Sequence, residues 1–401
     1  MNKKLSILLS VCLLAACGEK SGPDPEGTAP EGPNDKNVVV TSLYPWSDIA
    51  QTAQDKLETA FWRSAPNNYY YIDNIQDDKT FDHYWVTAHA METLLDAYVR
   101  KGNAFYKERV AVVLARIKQK EGGVYTTGFY DDMAWMGIAC IRAYQLFNEQ
   151  VYLDAANALL ADLKNGWVGP DGGMLWNKRP ADKDIRNACT LWTASCFAAR
   201  MYLLQKRQED LDFAQKVYVW AMSNLYNAEL GATFSEIKSN TYMTYNQGVL
   251  IGSSLALYEA TNQSSYLGYA VKCGDYCINN DNFGKEGIWR DEGATGELNK
   301  NNGIFKGILV HYMVDLVRSK NLPEAKRKAY IQYLESMAVT LYGATKHDYL
   351  IPGDWRRAAD AGEKIYLGCQ LSGVILFESI DTFFREYPSL LKNITITETN
   401  E

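Results

Sequence analysis

Gly248-Val249-Leu250-Ile251-Gly252-Ser253-Ser254-Leu255-Ala256-Leu257 carries no charge over its whole length. It sits inside a longer helical pattern, 244–261, and a helix that is apolar or small on every side must be enclosed by other elements. The run from Met133 to Phe147 is likewise apolar or small nearly all round. Phe105 to Gln119 reads differently: Val110, Val113, Leu114 and Ile117 fall on one stripe, with Lys107, Glu108, Arg116 and Lys118 away from it, as on a helix with one face in water. From about Ser47 onward these two kinds alternate. The periodicity predicts twelve helices, near 47–62, 84–101, 104–119, 132–148, 150–164, 185–205, 208–228, 244–261, 264–280, 303–319, 322–343 and 365–386, with almost no strand. The even-numbered ones are apolar nearly all round and the odd-numbered ones amphipathic.

The connections alternate as well. Links from an even helix to the next odd one take one or two residues, around Gly102, Glu149, Arg207 and Asn262. Links from odd to even are long: 63–83, 120–131, 165–184, 229–243, 281–302 and 344–364. Short turns on one side and long loops on the other collect all the long loops at one end. The pattern predicts an all-α (α/α)6 barrel of six helical hairpins, its inner helices starting beneath a loop-built mouth. A solenoid of six hairpins is the alternative, although the pair lengths vary more than a solenoid repeat allows.

At that mouth lies Gly128-Phe129-Tyr130-Asp131-Asp132-Met133-Ala134-Trp135. Two adjacent carboxylates open an apolar helix, where unpaired N–H groups and the macrodipole favour negative charge. Capping accounts for one Asp but gives the flanking Phe, Tyr and Trp nothing to do. The other long loops join glycines to aromatics, as in Gly122-Gly123-Val124-Tyr125, Gly172-Gly173-Met174-Leu175-Trp176-Asn177 and Gly287-Ile288-Trp289. Their convergence on one rim points to a carbohydrate cleft, since aromatic faces stack on pyranose rings. Glycosidic bonds are cut by two carboxyl groups, and the ~5–5.5 Å separation of the retaining mechanism is within reach of neighbours on a helix start. The spacing therefore predicts a covalent glycosyl-enzyme, without deciding which Asp attacks.

Composition bounds the rest. The 401 residues carry a net charge of −7, too acidic for a nucleic-acid partner. Aromatics make up 12%, in keeping with stacking surfaces. Residues 1–17 read as a signal peptide: Lys3 and Lys4, the apolar run Leu5 to Leu14, then Leu14-Ala15-Ala16-Cys17, similar to a bacterial lipobox. Cys17 is then the lipidated first residue, and loss of the two lysines takes the balance from −7 to −9. Residues 18–37 form a Pro-, Gly- and acid-rich linker, 38–390 the catalytic domain and 391–401 a C-terminal tail. The expected place is the cell envelope, held to a membrane by lipid, as a monomer. Of the remaining cysteines most fall in apolar helical patterns and read as buried small hydrophobes. Cys273 and Cys277 have no His or second pair at ligand spacing, so no metal is expected.

Several stretches resemble glycoside hydrolase family 76, the bacterial and fungal endo-α-1,6-mannanases: FYDDMAW at 129–135, GGMLWN at 172–177, RNACTLWTASCFAARMYLL at 186–204, TYNQGVLIGSSLALYEAT at 244–261 and GIFKGILVHYMVDL at 303–316. The resemblance covers Ser47 to Phe384. It implies an (α/α)6 fold and retaining endo-hydrolysis of the α-1,6-linked backbone of yeast-type α-mannan, with no cofactor. It further implies that Asp131 is the nucleophile and Asp132 the acid/base. Tyr245, Asn246 and Gln247 open the eighth helix and are expected to donate to sugar hydroxyls, with Asn177 and Asn187 as further rim contacts. Tyr130 and Trp85 are expected to face the sugar; Trp135 either stacks on a mannose or plugs the core. Trp355-Arg356-Arg357 is more basic than the family pattern, and its arginines either meet an anionic decoration or pair with Asp354, Asp360 and Glu363. Two other readings stand beside this one: a lipid-anchored glycan-binding protein that does not cut, and another (α/α)6 carbohydrate-active enzyme such as an unsaturated-uronyl hydrolase. The first has no use for two like-charged carboxylates that must share a site. The second is expected to use basic groups or His, of which the chain has four.

Overall fold

A computed structural model of the chain describes residues 7–8, 37–65, 68–80, 83–290, 292 and 299–399. Twelve long helices run through the described residues: α1 (Trp46–Phe61), α2 (Tyr84–Lys101), α3 (Ala104–Lys120), α4 (Tyr130–Phe147), α5 (Gln150–Leu163), α6 (Ala188–Gln205), α7 (Gln208–Leu225), α8 (Thr244–Thr261), α9 (Ser264–Asn279), α10 (Phe305–Arg318), α11 (Glu324–Thr345) and α12 (Leu367–Glu386). Helix α2 packs on α4, α4 on α6, α6 on α8, α8 on α10, α10 on α12, and α12 back on α2. The even helices thus close a ring, which excludes an open solenoid. The amphipathic helices form the outer layer, α3, α5, α7 and α9 each on the inner helix before it. The sixth hairpin is closed by the chain's two ends, because α1 packs on α12.

The short turns share one geometry. Gly102, Asn148, Lys206 and Asn262 each cap an inner helix in the left-handed conformation and accept no further helical turn, and the next residue is extended. That two-residue reversal drops the next helix against its predecessor, antiparallel. Ring closure also explains the small residues of the run 248–257. A Cβ on Gly252 would lie 2.2 Å from the Tyr312 ring, and one on Gly248 would lie 3.0 Å from the Leu309 Cα, so α8 and α10 touch at a distance only glycine allows.

Strand is richer than the periodicity predicts, and lies where helices end. Within the loop after α1, Trp62–Ala65, Asn68–Asn74 and Asp77–Thr80 form a three-stranded antiparallel sheet. Its middle strand is rich in Tyr and Ile, which fit a pleated half-buried surface. Tyr71 donates to Glu58 of α1 at 2.5 Å, and the Arg109 guanidinium lies 3.7 Å over the Trp62 ring, so this sheet is fastened to α1 and α3. Near the C-terminus Ile394–Thr399 pairs antiparallel with Asn37–Ser42, from Ile394 opposite Ser42 to Thr399 opposite Asn37. Ile7 and Leu8 pair with the other edge of Asn37–Ser42. The rest of the signal segment, with Cys17 and most of the linker, lies outside the described residues. Cys140, Cys189, Cys196, Cys273, Cys277 and Cys369 are all buried, as expected.

Candidate active site

Helix α4 begins at Tyr130, so Asp131 and Asp132 occupy its first turn rather than the cap that precedes it. The chain from 172 to 178 runs back along this start. Tyr130 N–H donates to the Trp176 carbonyl at 3.0 Å, Lys178 N–H to the Gly128 carbonyl at 2.9 Å, and Phe129 bridges Asn177. That pairing brings Trp176 beside the acids. Its indole Nε1–H donates to Asp131 Oδ2 at 3.0 Å, while the Asp132 backbone N–H donates to Asp131 Oδ1 at 3.1 Å. The Cys189 thiol, at the start of α6, lies beside the same carboxyl and favours its anion, and the Trp135 indole lies beside the Cys189 sulfur.

The two acids therefore differ. Asp131 is 8% exposed, and burial pushes its pKa up to about 6; the Asp132 N–H, Trp176 and Cys189 oppose that rise by stabilising the anion. Asp132 has no such set of donors. Burial, and then the charge of Asp131, push it well above the usual carboxylate range, with Lys120 as the partial counterweight. Of the two, Asp131 is the one whose surroundings favour the anion.

An aromatic arc faces this pair from the other inner helices. Tyr245, in the first turn of α8, stacks on Phe305 at the start of α10, with centroids 3.9 Å apart and planes at 19°. Phe305 meets Trp85 of α2 at 6.1 Å. Trp85 and Tyr245 are half-buried, and Tyr245 feels the charge of Asp131. Below the arc, Trp135 is one turn down from Asp131, 3% exposed, and packs on His89 at 4.7 Å and Tyr312 at 6.4 Å. It plugs the barrel axis.

Other expected contacts are engaged elsewhere. Tyr130 turns outward, its ring against Gly166 and under Lys178. Asn177 donates to Asp182 at 2.8 Å and accepts from Arg179 N–H at 2.8 Å, and Asn187 caps α6 by accepting from Thr190 N–H at 2.9 Å. Gln247 clamps the Thr233 backbone through both ends of its amide, at 2.8 and 2.9 Å. Asn246 is fully buried beside Tyr245. A polar residue at a helix start reads as a ligand contact, but backbone donors left over at these ends claim it first. Arg356 pairs with Asp354 at 3.1 Å and Arg357 with Glu363 at 2.6 Å, so these arginines take the pairing alternative. Phe305 and Cys189 were not singled out as site residues by sequence reasoning, nor was Trp176 linked to Asp131. The signal for Trp176 was its place in a Gly-rich mouth loop; nothing local marks Cys189.

The glycosyl hydrolase family 76 model matches residues 46–380. The GH76A α-1,6-mannanase from Salegentibacter sp. HEL1_6 is similar at 30% identity and TM-score 0.78, over 84% of this chain and 99% of that one. An inactive variant of that enzyme, with two adjacent aspartates replaced by asparagine, is in complex with α-1,6-mannotriose; it aligns at 29% identity and TM-score 0.78, over the same 84% and 99%. The Lin0763 protein from Listeria innocua is 28% identical with TM-score 0.76, over 86% of this chain and 99% of that one. No curated protein matches. The family match runs from α1 into α12, so the whole inner ring and both mouth carboxylates fall inside it, and the chain belongs to glycosyl hydrolase family 76.

Proposed function

We propose that the protein cuts α-1,6-mannosidic bonds within a mannan backbone, with retention, through Asp131 as nucleophile and Asp132 as acid/base. The observation that carries this is the unequal pair: a buried carboxyl that accepts from the Trp176 indole and the Asp132 N–H, beside one without such donors whose pKa is pushed up by burial and by its neighbour. In the first step an Asp131 oxygen bonds to the anomeric carbon, and the bond to the leaving oxygen breaks. Asp132 gives its proton to that oxygen. In the second step Asp132 takes a proton from water, the water oxygen bonds to the anomeric carbon, and Asp131 is released. Trp85, Phe305 and Tyr245 supply the faces on which mannose rings stack, and Asn246 lies behind Tyr245. The Salegentibacter enzyme supports the substrate class, since its variants lacking two adjacent aspartates hold α-1,6-mannotriose and α-1,6-mannotetrose.

Digestion of linear α-1,6-mannan tests this, with products sized and their first anomer read by proton NMR. A ladder of oligosaccharides released as α-anomers is expected. Binding without cleavage would return the glycan-binding reading, and β-anomers first would reject retention. We propose further that Cys17 anchors the protein in the cell envelope. Fatty-acid label that persisted on a Cys17→Ala variant would overturn that.

A further inference from the structure

A cavity of about 250 Å³ lies at the end away from the mouth, between the last turns of α2, α4, α10 and α12. Arg142, on its wall, follows Asp131 by eleven residues on α4, or roughly 16 Å along a helix. Trp135 and His89 separate the two spaces. The rim carries Val99 and Leu146, large apolar side chains 40% and 37% exposed.

The wall is polar but balanced. Asp96 pairs with Arg142 and, at 2.9 Å, with His311 Nε2; His311 Nδ1 lies 3.6 Å from Glu92; Arg200 meets Asp315 at 2.6 Å. Two arginines and His311, whose pKa Asp96 and Glu92 raise against its burial, thus face three carboxylates. Arg318 and Glu378, also on the wall, have partners in Glu386 and Arg100 behind it. His89 is 4% exposed, and neither ring nitrogen has a hydrogen-bond partner among the described residues. A buried polar group left unpaired costs ~1–3 kcal/mol. His89 faces the cavity from the same side as the Trp135 and Tyr312 rings.

These features select one kind of occupant. An ion would bring uncompensated charge into a balanced wall. An apolar molecule would strip water from the charged groups and leave His89 unpaired. A neutral ring with hydroxyls round its edge and C–H groups on its faces satisfies both the polar wall and the aromatic one. The cavity is of a size for one sugar ring rather than for a chain. We propose that this cavity binds a single neutral hexose, separately from the catalytic mouth.

Methyl NMR of the full chain labelled at Ile and Val tests this, because Ile138 and Val314 line the cavity. Titration with D-mannose should shift both signals along one saturable curve, and sodium phosphate should leave them in place. Val99→Trp fills the rim without touching an ion pair, and should weaken the D-mannose response by at least about tenfold. Leu146→Trp, at the end of the neighbouring helix α4, should do the same, and serves if the first variant folds poorly. The proposal is overturned by unmoved signals at saturating D-mannose in the mouth, by a response to phosphate alone, or by undiminished shifts in a folded rim variant.

Discussion

Asp131 and Asp96 are both largely buried aspartates on the inner wall of one barrel, yet their surroundings drive them in opposite directions. Asp96 faces Arg142 and His311, and those cations hold its carboxyl well below the usual range in spite of burial. Asp131 has only neutral donors and an acidic neighbour, and its carboxyl is raised to about 6. The lower end of the axis pairs its charges with each other. The mouth leaves its charges unpaired, and unpaired buried carboxylates are what acid–base and nucleophilic chemistry needs.

One substitution made at both ends should therefore have opposite signs. Asp96→Asn leaves Arg142 and His311 without their main counter-charge, and should destabilise the fold by about 3–5 kcal/mol at pH 7. The Asp96 contribution is present above the ordinary aspartate pKa and lost as pH falls through its lowered value, so the gap between variant and wild type should close in acid. Chemical denaturation across pH reads both. Smaller is the loss in Trp176→Phe, which keeps the ring and removes one donor to a charged group. It should cost ~1.5–3 kcal/mol of transition-state stabilisation, or about 10–150-fold in kcat/KM. The acid limb of its pH profile should also move up from about 6, because the anion at Asp131 is less favoured. A merely structural Trp176 would lower activity without moving that limb.

Smallest in free energy is Asp131→Asn, which should abolish hydrolysis while stabilising the fold by ~1–3 kcal/mol at pH 7. The sign follows from the raised pKa: the native state binds this proton more tightly than the unfolded chain does. The wild-type cost is absent below the ordinary aspartate pKa and complete above about 6. Destabilisation at pH 7 by Asp131→Asn would erase the contrast between the two ends.

The same contrast explains what was legible in the sequence. Helix periodicity and the alternation of loop lengths are local and repeated, so the ring, its mouth and the Asp131–Asp132 pair could be read directly. Trp176 meets Asp131 across 45 residues, through a loop whose path only the fold provides. The strand Ile394–Thr399 was unreadable for the same reason, since its partner is at the other end of the domain. The partners of Asn177, Asn187 and Gln247 within the fold were not legible either, because such residue types suit sugar hydroxyls, loop backbone and helix ends equally well. The axial cavity was hidden because its charges are spread over α2, α4, α6 and α10, each charge looking on its own helix like one solvated residue.

The central claim is the division of labour at the mouth, and Asp132→Ala tests it most directly. Hydrolysis of α-1,6-mannan, whose leaving sugar needs a proton, is compared in that variant with an aryl glycoside of an α-1,6-mannooligosaccharide, whose phenol leaves without one. A general acid contributes roughly 10²–10⁴-fold, and that is the gap expected between the two substrates. Equal losses on both would contradict the assignment of Asp132 as the acid and of Asp131 as the residue that attacks.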